Sequence, residues 1–380
     1  EIFWQGKTKR LLDELDVIFA VSGGSFPAAY YTLYGDRLFQ DFENRFLRKD
    51  WDSELRGRIL RSPSNWFRLW SPYFGRAHIL AELLDEALFD KKTFGDLAAR
   101  RQRPLLALHA TDMTTLSRFE FTQGTFDLLC SDLHQLPIAW ASASSSALPL
   151  ILSPITLKNY AGQCRQELVG LVPFLERAKR EGGVAAQVAN EALSYLDVEK
   201  RPFVHLVDGG LADNMGLRGI IEAVGLVGGH EQLLKLSGVK NIHKLVILAV
   251  NAETTPDTLE YRSDQVPIMS QAMKSMIDAP INRYSFDTVM LMRLALKEWQ
   301  KELRDKPRGP DSPFAPDAKL YFINVSLGDV VDPDERLSLM KIPTSLYISD
   351  EQIDRLIRAA SDLILRDADF QRLMVDMQER

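Results

Sequence analysis

Five apolar residues, Val17 to Val21, run straight into Ser22-Gly23-Gly24-Ser25, and an apolar helical pattern resumes at once over 25–34. Nothing else constrains the fold of this 380-residue chain so tightly. A short run that is apolar throughout predicts a strand covered on both faces. A strand that becomes a helix across a few small residues predicts an α/β layer fold. A second such run lies at 245–250. The small residues have two readings. Either Ser22 is held on a sharp turn for reaction, or the connection simply needs small residues to be tight.

The alternation continues along the chain. Strands are expected at 17–21, 105–110, 119–122, 155–157, 203–207, 245–250 and 320–325. Helices are expected at 25–34, 38–48, 78–88, 185–196, 213–226, 284–304 and 351–365. Residues 1–380 read as one domain with helical insertions at 49–103 and 165–200. A surface loop with four prolines follows at 307–317, then a C-terminal strand and helices over 318–380.

Charge and composition exclude some partners. The formal net charge of −6 argues against nucleic acid, whose recognition needs a basic face. No apolar run approaches the roughly 18 residues of a membrane span. The two cysteines, Cys130 and Cys164, can pair, but neither has metal-ligand spacing, so no metal is expected. The opening "EIFWQGKTKRLLDELD" reads as the second half of a helix, which predicts more chain before it in the natural protein.

Ala20-Val21-Ser22-Gly23-Gly24 is a nucleophile-elbow pattern with Ala in the first glycine position. Small neighbours are expected there because the turn is strained and closely packed. The Gly23 N–H would face an oxyanion, with the following helix N-terminus adding a favourable dipole. A serine hydroxyl needs a base. The six histidines are His78, His109, His134, His205, His230 and His243. A Ser–acid–His order would require His230 or His243, which precede the N-terminal end of strand 245–250. Sites in doubly wound sheets lie at the other end. His205 sits in a strand, on the opposite face from Asp208. Asp208, in "FVHLVDGGLADNMGLRG", lies at the carboxyl end of an apolar strand, the end that also carries Ser22. Gly209 and Gly210 leave room beside it for the serine loop or a substrate. Partial burial would raise its pKa and make it a usable base. Asp213 reads as the N-cap of the next helix.

Taken in order, "AVSGGS", "HATDM" at 109–113, "ASASSSALPLILSPITL" at 141–157, "DGG" and "DNMGL" at 213–217 resemble the patatin-like phospholipase family. The resemblance covers about residues 10–300. It implies a three-layer α/β/α sandwich with a mostly parallel central sheet and inserted helical segments. It also implies hydrolysis of lipid acyl esters by a Ser–Asp dyad through a covalent acyl-enzyme, without histidine or cofactor. By position Ser22 is the nucleophile, Asp208 the base, and Gly24, Gly209 and Gly210 the motif glycines. One departure stands out. The family's glycine-rich oxyanion loop, with its Arg or Lys, precedes the elbow, and "WQGKTK" does not match it. That segment is expected upstream in the natural protein. Two alternatives keep the fold: a non-catalytic lipid-binding or regulatory module, and a lipid acyltransferase. A histidine-dependent α/β-hydrolase is a third.

Between Glu54 and Glu82 there is no acidic residue, while five arginines alternate with Trp66, Phe67, Trp70, Tyr73 and Phe74. Trp66, Phe67, Arg68 and Trp70 are therefore candidate membrane contacts, against a reading in which the aromatics pack into the core. A lipid or membrane-surface partner and a peripheral-membrane or bacterial envelope location are expected. Oligomeric state stays open. Five of the ten methionines fall in 269–292 and are expected to form a buried helix face. Ser142, Ser144, Ser145 and Ser146 are expected in a tightly packed loop near the sheet top.

Overall fold

All seven strands expected from the apolar runs form, and two short ones precede them. The computed structural model describes residues 2–4, 7–164, 168, 170–255, 264, 266, 268–305 and 309–378. Ile2–Trp4 (β1) and Lys7–Lys9 (β2) pair antiparallel. The chain then falls into two compact units. The larger holds residues 16–222 with 345–347, and the second holds 1–15, 223–344 and 348–380.

The larger unit is built on one curled sheet. Val17–Ala20 (β3) leads through the Ser22 turn into Ser25–Tyr34 (α1). Phe26, Ala29, Tyr30 and Leu33 recur at helical spacing along α1 and are all buried, so its apolar stripe faces the core. Leu38–Leu47 winds as a π-helix, a departure from the α-helix expected there. Trp51–Arg61 (α2), Pro63–Trp70 (α3), Arg76–Ala87 (α4) and Phe94–Arg100 (α5) follow. Asp50 caps α2 through the Ser53 N–H, and Thr93 with Asp96 forms a capping box on α5.

Leu105–Asp112 (β4) and Arg118–Glu120 (β5) come next, then Gln123–Leu128 (α6), Ile138–Ser145 (α7) and Ile155–Lys158 (β6). Leu171–Glu181 (α8) and Gly183–Ser194 (α9) lead to Phe203–Val207 (β7), and Gly210–Asp213 (α10) and Arg218–Val227 (α11) follow it. Cys130 and Cys164 form a disulfide. α1 and α7 pack on β4, and α4 packs on α7.

The strand order is β3-β4-β7-β6, with β5 also on β4. Only β3 and β4 run parallel; β4–β5, β4–β7 and β7–β6 are antiparallel. The fold is the expected α/β sandwich, but this sheet is of mixed sense, not mostly parallel. The reason is visible in the chain. β4 reaches β5 through a turn of five residues, far too short for a parallel crossover, and β6 enters beside β7 in the opposite direction. β3 pairs on one side only among the described residues, and its Val17 and Phe19 are 39% and 38% exposed. An apolar run therefore marks an edge strand here rather than one covered on both faces.

In the second unit, His230–Leu236 (α12) precedes Ile242–Asn251 (β8), and Met269–Asp305 (α13) precedes Phe314–Ser326 (β9), which pairs parallel with β8. β9 opens inside the proline-rich stretch, with Phe314 and Ala315 buried, so the surface loop ends earlier than expected. Residues 307 and 308 of that stretch lie outside the described residues. Pro333–Met340 (α14), Asp350–Arg366 (α15) and Ala368–Asp376 (α16) complete the unit.

The methionine expectation fails in α13. Met269, Met273, Met276 and Met290 are exposed and only Met292 is buried. The buried face instead runs through Ser285, Thr288, Met292, Leu296, Trp299 and Leu303, spaced three and four apart. The other methionines fall off that phase.

Candidate active site

Ser22 has φ = 49°, the left-handed region that a side chain rarely adopts, so the elbow is strained where the sequence reading placed the strain. Three contacts hold it. The Ser22 N–H donates to Ser145 Oγ at 2.8 Å, and that hydroxyl donates to the His109 carbonyl at 2.7 Å. Ser25 Oγ donates to the Ser22 carbonyl at 2.6 Å. Ser25 and Ser145 are both fully buried. Ser145, expected only to pack tightly, is instead a direct support of the turn. Nothing in its spacing from Ser22 signals this, because the contact spans 123 residues.

Strand register brings Asp208 to Ser22. Along β4, Ala20 pairs with Leu108 and Thr111 pairs with Val207. Carried on by two residues and by one, the two registers place Ser22 and Asp208 level with Ala110, so the two strand ends meet there. Ser22 Oγ donates to Asp208 Oδ2 at 2.7 Å. Asp208 Oδ1 accepts the Gly210 N–H at 2.8 Å, and the Asp208 carbonyl accepts Thr111 Oγ1 at 2.8 Å. The Asp208 and Gly209 N–H groups donate to the carbonyls of Ala147 and Ser145. Every polar edge of this carboxylate and its backbone has a partner, so its position is tightly determined.

Asp208 is 3% exposed. Burial pushes its carboxyl up to about 6, against the hydrogen bonds from Ser22 and Gly210 that pull it down. Ser22 itself is half-buried, while Gly23 and Gly24 are exposed. The Gly23 N–H has no protein acceptor among the described hydrogen bonds.

The two glycine pairs differ in what requires them. A Cβ on Gly23 or Gly24 would meet nothing within 4 Å, so close packing is not the reason for glycine at the elbow, contrary to the sequence reading. A Cβ on Gly209 would lie 2.5 Å from the His109 carbonyl oxygen and 2.6 Å from Val21 Cγ2. Val21 is the residue before Ser22, so Gly209 is what lets the two segments meet. On Gly210 a Cβ would crowd Asn214 Oδ1 at 2.9 Å and Asp208 Oδ1 at 3.0 Å. Gly209→Ala is therefore expected to lose about 1–3 kcal/mol of stability, and Gly24→Ala well under 1 kcal/mol, in urea unfolding. Equal midpoints for the two variants would contradict this packing argument.

The histidines are engaged elsewhere. His109, fully buried, has its Nε2 at 2.8 Å from the Asp213 carbonyl, and burial holds its ring below the usual histidine range. His205 Nδ1 lies 2.9 Å from Thr156 Oγ1. His230 and His243 belong to the second unit, stacked on Trp299 and bonded to Asp317 respectively. Asp213 accepts the Met215 and Arg218 N–H groups, so it caps α11 from the end of α10. Among the described residues no group of three or more His, Cys, Asp or Glu side chains is placed to hold a metal ion.

The family model for patatin-like phospholipases matches residues 2–221, nearly the whole of the larger unit and both halves of the Ser22–Asp208 contact. The chain belongs to the patatin-like phospholipase family. Membership places it among lipid acyl hydrolases. No curated protein matches it.

The candidate membrane contacts of this patatin-like chain lie on α3 and beside it. Trp66, Phe67 and Trp70 are 55%, 73% and 89% exposed, so the reading in which they pack into the core fails. Arg68, its side chain 41% exposed, is ion-paired with Glu82 and stacked over the Phe74 ring at 3.8 Å. It ties α3 to α4 through Glu82. Among the described residues no helix is long and apolar enough to cross a membrane.

Proposed function

We propose that the chain hydrolyses lipid acyl esters with Ser22 as nucleophile and Asp208 as general base. The observation that carries this reading is the 2.7 Å hydrogen bond from the Ser22 hydroxyl to a buried carboxylate, on an elbow with strained φ. Ser22 Oγ attacks the ester carbonyl while its proton passes to Asp208. The C–O bond to the alcohol then breaks, and Asp208 returns the proton to the departing oxygen. Water attacks the acyl-enzyme with Asp208 taking its proton. The carboxylic acid leaves, and Ser22 is reprotonated. The Gly23 N–H, which has no protein acceptor among the described hydrogen bonds, would donate to the oxyanion. A carboxylate with two accepted hydrogen bonds suffices as base because burial raises its proton affinity toward neutrality.

The test is turnover of nitrophenyl esters of increasing acyl length against pH. Only ionised Asp208 can take the proton, so kcat/KM should rise about tenfold per pH unit up to about 6 and then level off. A rate independent of pH between 4 and 7 would remove Asp208 as the base. No turnover of any acyl length would remove the hydrolase reading.

A further inference from the structure

On α3, an eight-residue helix with no buried residue, the large exposed side chains are aromatic. Trp66 and Trp70 stand one turn apart on one face, Phe67 beside them, and Tyr73, 87% exposed, follows the helix end. Exposure on this scale is not a loosely packed helix, because the polar groups of the helix are tied down. Asn65 donates to the Arg58 carbonyl at 3.0 Å, Arg68 bonds Asn65 and Glu82, and Trp66 Nε1 donates to the Ile59 carbonyl at 2.6 Å. The polar groups hold the helix in place and leave its rings outward.

The stretch of chain that carries the rings has charge of one sign. Residues 55–81 hold five arginines and no acid, in a chain of net charge −6. Two of the five are neutralised from α4, Arg58 by Glu86 and Arg68 by Glu82. Arg61 is exposed with no acidic partner among the described residues, and Arg56, with a side chain 74% exposed, reaches Asp52 only at 4.0 Å. Exposed indole and phenyl rings, with exposed arginine side chains on the adjoining α2, suit the headgroup layer of a bilayer, where rings enter the apolar boundary and guanidinium groups meet phosphates. A second copy of this chain would bring the same positive charge to itself.

We propose that α3 docks the protein on lipid bilayers that carry anionic headgroups, through Trp66, Phe67, Trp70 and Tyr73 with Arg56 and Arg61. The proposal does not rest on the catalytic reading, and its test keeps the two apart. The probe is the full chain carrying Ser22→Ala, sedimented with vesicles of phosphatidylcholine alone or mixed with phosphatidylserine. Binding is expected to be stronger on the mixed vesicles and to weaken with salt. It should fall about tenfold or more in a Trp66→Ser, Phe67→Ser, Trp70→Ser triple variant, and about fivefold for each of Arg56→Glu and Arg61→Glu. These side chains are exposed, so the variants should melt as the parent does, and circular dichroism checks that they do. Brominated acyl chains should quench the parent's tryptophan emission and leave the triple variant's nearly unchanged. A parent that stays in solution, or a triple variant that binds as the parent does, overturns the proposal. So does a parent dimer that the triple variant loses in the absence of vesicle binding, which would assign the patch to a second copy.

Discussion

Ser22→Ala and Asp208→Asn should each lower nitrophenyl-ester turnover by about 10³-fold or more, with little change in KM. The two groups act as one unit, so the double variant should lose scarcely more than either single one. Their effects on stability should separate them from a folding defect. The Asp208 carboxyl sits at about 6 in the folded chain against an ordinary 3.8. Between those values the folded chain holds more protons than the unfolded one, so this group lowers stability as pH rises through the window. Once ionised, it costs up to about 3 kcal/mol. Asparagine carries no such penalty and can still accept the Gly210 N–H. Asp208→Asn should therefore melt at or above the parent's temperature near neutral pH, an advantage that fades below pH ~4. Circular dichroism melts at both pH values check the sign. A variant that is inactive and also markedly less stable at neutral pH would mean that Asp208 is chiefly a structural residue.

Asp112→Ala should destabilise the chain by about 3–5 kcal/mol, a fall in melting temperature of roughly 10 °C. Asp112 is fully buried at the end of β4 and is ion-paired with Arg201, itself 8% exposed. Tyr195 OH donates to the same carboxylate at 2.9 Å, and the Thr114 N–H donates to its other oxygen at 2.9 Å. Burial, and next the Asp112 charge, hold the Tyr195 hydroxyl far above its usual range, so that it remains a donor. Removing Asp112 leaves a buried guanidinium without its counter-charge, which is why the loss exceeds that of an ordinary hydrogen bond. The pair also bears on the site. It ties the strand that carries Thr111 and Ala110 to the segment from Tyr195 to Arg201 that feeds β7 and Asp208. An Asp112→Leu, Arg201→Met double variant should recover most of the stability, because a buried ion pair and an apolar pair of similar size are close in free energy. A single Asp112→Ala variant within about 1 kcal/mol of the parent would show that water reaches Arg201.

The ends of β3 and β7 were legible in the chain itself. Apolar runs stop at Ser22 and Asp208, glycines follow each, and local sterics make such junctions sharp. The α1 stripe and the caps at Asp50 and Thr93 were local too, since helical periodicity and capping act within a few residues. What joined Ser22 to Asp208 was not local. The sense of β7 against β4, the register that sets both residues level with Ala110, the Ser145 hydroxyl under the Ser22 N–H and the Ser22–Asp208 contact itself span 88 to 186 residues. No periodicity carries such a pairing. The same holds for surfaces. An aromatic at 66, 67 or 70 reads alike whether it packs inward or outward, and the methionines of α13 read as core. Which face is covered depends on what the rest of the fold sets against it. On α3 that is Glu82 for the arginine and, within the described residues, no covering element for the tryptophans.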